Sequence, residues 1–266
     1  MEKFQWGQHM ANKNNQMRKL ISKEFFSGDG SIYQKYFKVK ENDVVMDLGA
    51  SIGPFAYTIL PEKPKLIYCV EASKEQLPTL LKNTSYYQNV ICINKAVHDK
   101  DEEAIFMQQI YGEPDDDSDV PTFTTPKLVE GIRFDTLVKE YKINKIDFLK
   151  TDCEGGEYDT FNYENRWWIR DNVRYIAGEF HLNTPQLKEK FRQFRDTYLR
   201  IFSNFKVEAV CGTDIKWSLW NDDFIERYNE VIIYIVLLFR LESLFRIVRS
   251  LPNMVLLNQL HLVVIY

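Results

Sequence analysis

The sequence has few cysteines and no long apolar run, and neither charge sign dominates it. Cys69, Cys92, Cys153 and Cys211 are scattered, with no CxxC pair and no Cys/His cluster. That spacing excludes a zinc ribbon and a disulfide framework. Most of these thiols sit in apolar runs, where a reduced cysteine acts as a small hydrophobe. The longest apolar run, Val231 to Phe239, is far shorter than the ~20 residues that span a bilayer. The stretch from Met1 to His9 is polar and has no leader-like apolar core, so the expected location is cytoplasmic. Basic and acidic residues number 34 and 38, a net charge of −4. No global positive field exists to hold nucleic acid or anionic lipid, and a nucleic-acid partner is not expected. There are no internal repeats. What is present is a core: 45% of the 266 residues are hydrophobic, with 18 Phe, 15 Tyr and 5 Trp. A chain of this size buries roughly 70–75% of its unfolded surface and needs no staples.

From residue 43 onward, short β-rich runs alternate with helical stretches. Val44–Met46, Leu66–Val70, Val90–Ile93, Ile146–Leu149, Tyr175–Ala177, Val207–Val210 and Val231–Val236 read as buried strands. Pro54–Leu60, Glu75–Asn83, Phe134–Tyr141 and Pro185–Phe202 read as helices. In the last, Leu187, Phe191, Phe194, Tyr198 and Phe202 form one apolar face, with Lys188, Lys190, Arg192 and Arg195 on the others. Continuous apolar strands between amphipathic helices predict an α/β fold, a mostly parallel sheet covered on both faces.

The segment Asp47-Leu-Gly49-Ala50-Ser51-Ile-Gly53-Pro54 carries the first chemical signal. An apolar strand runs into small residues that let a ligand approach the backbone, and Pro54 suits the first position of a helix whose N-terminus favours anionic groups. A dinucleotide loop would read G-x-G-x-x-G. Here the pattern is acid-x-G-x-x-x-G, which resembles the first motif of S-adenosylmethionine-dependent methyltransferases. Asp47 is placed to meet the ammonium of the methionine half, directly or through water. Glu71, 24 residues on at the end of the second strand, is placed to accept both ribose hydroxyls. The alternative for Glu71 is a first-turn acid of the next helix. After the third strand, Ala96 and Val97 offer a small apolar wall for an adenine.

The second signal is Lys150-Thr-Asp152-Cys-Glu154-Gly-Gly-Glu157, which brings three carboxylates to the carboxyl end of a buried strand, where open parallel sheets bind ligands. Mutual repulsion raises carboxylate pKa values, which suits a general base or a cation site. No complete metal-ligand pattern is visible, and no metal is expected. The next strand ends in Glu179-Phe-His181, whose alternation sends Glu179 and His181 to one side. Asp152, Glu154, Glu179 and His181 are the candidate catalytic residues, and the sequence does not rank them. The Asn/Asp-Pro-Pro-aromatic segment of enzymes that methylate amino groups of nucleic acids is absent.

Taken together, Asp47 to Gly53, Val70-Glu71, Asp147 to Glu157 and Glu179 to His181 resemble the FkbM family of methyltransferases, in order, over roughly residues 24–236. The resemblance implies a class I, Rossmann-like methyltransferase fold: a seven-stranded, mostly parallel sheet whose last two strands form an antiparallel hairpin. It also implies S-adenosyl-L-methionine as cofactor and transfer to a hydroxyl oxygen of a sugar, glycan or small natural product. Gly156 stands where Ala is commoner in the motif. On this reading residues 1–40 are an N-terminal helical segment packed on the core, 41–236 the methyltransferase domain, and 237–266 an apolar extension that packs on its own domain or forms a homodimer. The acidic, proline-punctuated stretch 111–126 is expected to be a lid over the acceptor. Two rivals are an NAD-dependent oxidoreductase or epimerase and a cofactor-binding scaffold without turnover. Ser51 in the glycine loop disfavours the first, as does the lack of a Tyr-x-x-x-Lys pair after the fourth strand.

Overall fold

The computed structural model describes residues 33–106, 109–110, 122–123, 127–200, 205–209, 214–228 and 232–238. The sheet begins with β1 (Val44–Leu48), whose five residues are all buried. Helix α1 (Pro54–Ile59) follows, with Gly53 as its left-handed N-cap and Pro54 at its first turn, as the missing proline N–H permits. Next come β2 (Leu66–Val70), α2 (Leu77–Thr84) and β3 (Val90–Ile93). A side ladder follows, of β4 (Ala96–Val97), β5 (Glu103–Phe106) and β8 (Lys127–Ile132), with the short pair β6 (Gln109–Ile110) and β7 (Thr122–Phe123). The chain re-enters through α3 (Phe134–Glu140), β9 (Ile146–Thr151), α4 (Glu157–Thr160), α5 (Arg166–Asn172) and β10 (Val173–His181). It continues with α6 (Pro185–Phe194), β11 (Phe205–Ala209), α7 (Asp222–Arg227) and β12 (Ile232–Leu238).

Five strands pair in parallel in the order β3, β2, β1, β9, β10, and the antiparallel strands β12 and β11 continue from β10. Their apolar residues divide by strand alternation. Val44, Met46 and Leu48 of β1 join the larger core cluster, while Val45 joins a smaller one with Phe55, Ile67, Phe148 and Ala177. Tyr33 and Val39 of the N-terminal segment close that smaller cluster.

The larger cluster holds a group of aromatic rings beneath α4 and α6. Phe161 meets Phe180, Phe194 and Tyr198 at centroid distances of 5.6, 5.7 and 5.5 Å. The expected apolar face is present at Phe191, Phe194 and Tyr198, all buried. Phe202 lies outside the described residues. Two details differ from expectation. After Phe194 the helix widens into a π-helical turn, Arg195–Leu199. Arg195 is buried, not solvated, because its Nη1 donates to Asp222 at 2.6 Å and to the Leu219 carbonyl at 3.0 Å. A guanidinium can enter a core when fixed oxygens meet its donors.

Residues 33–40 are turns and extended chain, and residues 1–32, like 239–266, fall outside the described set. β12 runs to Leu238, with Leu237 fully buried, so the sheet extends past residue 236. Of the expected lid, only Thr122–Phe123 is described, paired with Gln109–Ile110.

Candidate active site

The carboxyl ends of β1, β2, β9 and β10 converge, and backbone hydrogen bonds bind their exit loops together. Gly49 and Ala50 donate to the Val70 carbonyl at 2.9 and 3.0 Å, Glu71 to Ile93 at 2.9 Å, and Asp152 to Leu48 at 3.1 Å. Gly49 has φ +74°, and a Cβ there would lie 1.8 Å from the Asp152 carbonyl oxygen. The glycine is needed for its conformation and because the Asp152 loop passes directly over it. Gly49→Ala should therefore cost about 1–3 kcal/mol of stability, as overpacking does, or more. A urea denaturation curve superimposable on wild type would contradict this contact. Ser51 and Glu154 also adopt left-handed φ, 50° and 54°, a strain that clusters at ligand-binding loops.

Glu71 joins two of these loops. Its Oε2 accepts from the Ser51 N–H and its Oε1 from the Ser73 N–H, both at 2.7 Å. Burial pushes its carboxyl up, and those two N–H groups pull it back. Asn94 donates to the Glu71 carbonyl at 2.8 Å and fixes the loop from β3. Val97 packs into the larger core cluster, and Ala96 beside it is half-buried.

Asp47 is fully buried and is the cross-strand partner of Lys150. The Lys150 ammonium lies 3.1 Å from Asp47 Oδ1 and donates to the Gly49 carbonyl at 2.7 Å and the Leu48 carbonyl at 3.3 Å. Burial opposes the lysine's charge, but Asp47 and Asp152 outweigh it, and Lys150 holds its proton above the ordinary lysine range. The contact of Asp47 is thus electrostatic, toward the lysine under the glycine loop, and neither carboxylate oxygen has an aligned donor. A lysine inside the buried strand Ile146–Thr151 demands a buried anion, the one sequence signal that could have found this pair.

His181 is equally buried. Its Nε2 lies 3.0 Å from Glu154 Oε2 and its Nδ1 3.2 Å from Glu157 Oε1. Glu157 also accepts the His181 backbone N–H at 2.6 Å and the Gly155 N–H at 2.8 Å. Burial works against charge on the ring, yet the two carboxylates push it up to about 11. The two carboxylates thus favour the protonated ring of His181. Atoms of Asp152, Glu154 and His181 come within 4.8 Å of one another, near enough to surround a cation. Both ring nitrogens already face carboxylates, so the group is an internally compensated chain of charges.

On the other side of Asp152 stands Tyr33, 119 residues away in sequence and invisible to motif reading. Its hydroxyl lies 3.0 Å from Asp152 Oδ2 and 3.1 Å from Glu179 Oε1. Burial and then the Asp152 charge push Glu179 up to about 7, while His181, Tyr33 and Lys150 pull it back. The structure thus gathers the glycine loop, Glu71, Asp152, Glu154, Glu179 and His181 at one edge.

Residues 43–204 match the family model described as the methyltransferase FkbM domain. The chain belongs to this family. An FkbM-domain chain is an S-adenosylmethionine-dependent methyltransferase, and S-adenosyl-L-methionine is its cofactor. No curated protein matches the chain. Solved structures similar to this FkbM-domain chain include Aeropyrum pernix fibrillarin with natively bound S-adenosyl-L-methionine, at 12% identity and a TM-score of 0.40, covering 79% of this chain and 73% of that one. Another is an rRNA methylase of Streptococcus thermophilus, at 10% identity and 0.42, covering 75% and 88%. A third is precorrin-6y C5,15-methyltransferase of Geobacter metallireducens GS-15, at 9% and 0.40, covering 79% and 86%. Likeness this distant carries nothing about the acceptor. Among the described residues no helix is long and apolar enough to cross a membrane.

Proposed function

We propose that the protein methylates a hydroxyl oxygen of a sugar, glycan or small natural product, with Glu71 holding the ribose of S-adenosylmethionine and Gly49, Ala50, Ser51 and Gly53 lining its methionine half. The observation that carries the cofactor placement is Glu71, a buried carboxylate pinned by the Ser51 and Ser73 N–H groups at the mouth of the glycine loop. Asp47 acts on the loop through Lys150 and not on the ammonium directly. The acceptor faces Asp152, Glu154 and Glu179, an acidic rim that suits hydroxyl donors and repels polyphosphate backbones. Sulfonium is a good leaving group, so aligning oxygen and methyl supplies most of the acceleration, up to about 7–11 kcal/mol in ideal cases.

Release of S-adenosylhomocysteine from a panel of monosaccharides, glycans and polyol natural products, beside RNA oligonucleotides, tests the acceptor class. Transfer to RNA alone would overturn it. Glu71→Ala should weaken S-adenosylmethionine binding by about 1.5–3 kcal/mol, the worth of hydrogen bonds to a charged acceptor. Affinity by calorimetry equal to wild type would remove Glu71 from the site.

A further inference from the structure

Asp152, Glu154, Glu179 and His181 gather at this edge, and two of them are already committed to each other. His181 is held between Glu154 and Glu157, whose carboxylates favour its protonated form. Glu154 is engaged with that imidazolium on its Nε2 side. Asp152 and Glu179 remain, joined by a single phenol: the Tyr33 hydroxyl has one hydrogen and stands 3.0 and 3.1 Å from the two carboxylates. Two carboxylates sharing one donor cannot both be satisfied as anions, so one of them takes up a proton more readily than an isolated acid. Tyr33 itself is held in place, with its ring edge-on to Phe55 at 5.7 Å and the Lys150 ammonium 5.4 Å from its face.

We propose that Glu179 is the base that takes the acceptor's proton, and that Tyr33 is the positioning residue that shares its hydroxyl between Glu179 and Asp152, which makes the N-terminal segment part of the catalytic site. The proposal rests on the methyl-transfer reading above. In the step, an oxygen lone pair of the acceptor forms a bond to the sulfonium methyl carbon. The carbon–sulfur bond breaks with its electron pair going to sulfur, leaving a neutral thioether. The hydroxyl proton passes to a Glu179 oxygen and leaves to water with the products. Besides Asp152 and Tyr33, the charged groups acting on Glu179 are His181 on its own strand and Lys150 on β9. Their balance places its titration near 7, where a base works in both directions at neutral pH.

Carboxyl-13C NMR of the full chain reads the proton directly, with Glu179→Gln assigning the resonance. The Glu179 midpoint should lie near pH 7. It should rise by about half a unit or more in Tyr33→Phe, where the ionised form loses its donor, and fall in Asp152→Asn, where a like charge is lost. If Tyr33→Phe does not fold, the fall of the Glu179 midpoint in Asp152→Asn carries the test, because Tyr33 then donates to Glu179 alone. Cofactor saturation gives the decisive comparison. S-adenosylmethionine carries a positive sulfonium and S-adenosylhomocysteine a neutral sulfur, so a base beside the reacting centre titrates lower, by about half a unit or more, with the former. Both ligands bound with equal Glu179 midpoints would overturn the assignment, as would a wild-type midpoint in the ordinary carboxylate range. Failure of either ligand to bind would instead overturn the cofactor placement.

Discussion

Lys150→Met should cost about 3–5 kcal/mol of stability, the penalty for removing one partner of a buried ion pair. Methionine keeps most of the lysine's length, so the loss is not a cavity. What it removes is the cation beside a fully buried Asp47 and the donor to the Gly49 and Leu48 carbonyls. An uncompensated carboxylate would then lie between β1 and β9, and it would be forced to take a proton. The single variant should therefore become weaker still as pH rises and that proton is lost. Asp47→Leu combined with Lys150→Met should recover most of the loss, because two apolar groups fill such a site almost as well as the pair. Urea denaturation of the three variants at neutral pH is the measurement. A single-variant cost below about 1 kcal/mol would mean that the pair is solvated and does not brace the glycine loop.

The second large effect belongs to Glu157. This carboxylate has no exposed surface and meets three donors: two backbone N–H groups, from Gly155 and His181, and the His181 ring. Glu157→Ala should cost about 3–5 kcal/mol. It should also change how stability depends on pH. The folded-state pKa of His181 is raised from the ordinary 6.5 to about 11. The stabilisation is therefore complete below about 6.5 and is lost as pH rises through about 11. In Glu157→Ala only Glu154 remains to hold the imidazolium, and the upper edge of that window should move down. Parallel curves of unfolding midpoint against pH for the two proteins would refute the ion-pair chain.

How far these features were legible in the sequence depended on where their causes lie. β2 and β3 begin and end at the residues their apolar runs predict, and α1 starts at Pro54, because strand runs and a proline after glycine are local signals. The extents of β9 and β10 were underestimated. Lys150, Thr151 and Gly178 interrupt the apolar pattern, yet all lie in strands. Polar residues at a strand end break periodicity when neighbouring strands supply their partners. Arg195 was misplaced for the same reason: on a helical wheel it sits among cations, and only α7 brings Asp222 to it.

The sequence by itself determined the alternation of strands and helices, the glycine loop with its following acid, and the collection of carboxylates after β9. Each of these is written in spacing along the chain, through periodicity, turn chemistry and the ends of apolar runs. Only the tertiary structure decided what those charges do. Strand register set Asp47 against Lys150, the fold over of α4 set Glu157 against His181, and the N-terminal segment laid Tyr33 between Asp152 and Glu179. A side chain's charge state and role depend on partners within a few ångströms, and here those partners lie 24 to 146 residues away in sequence.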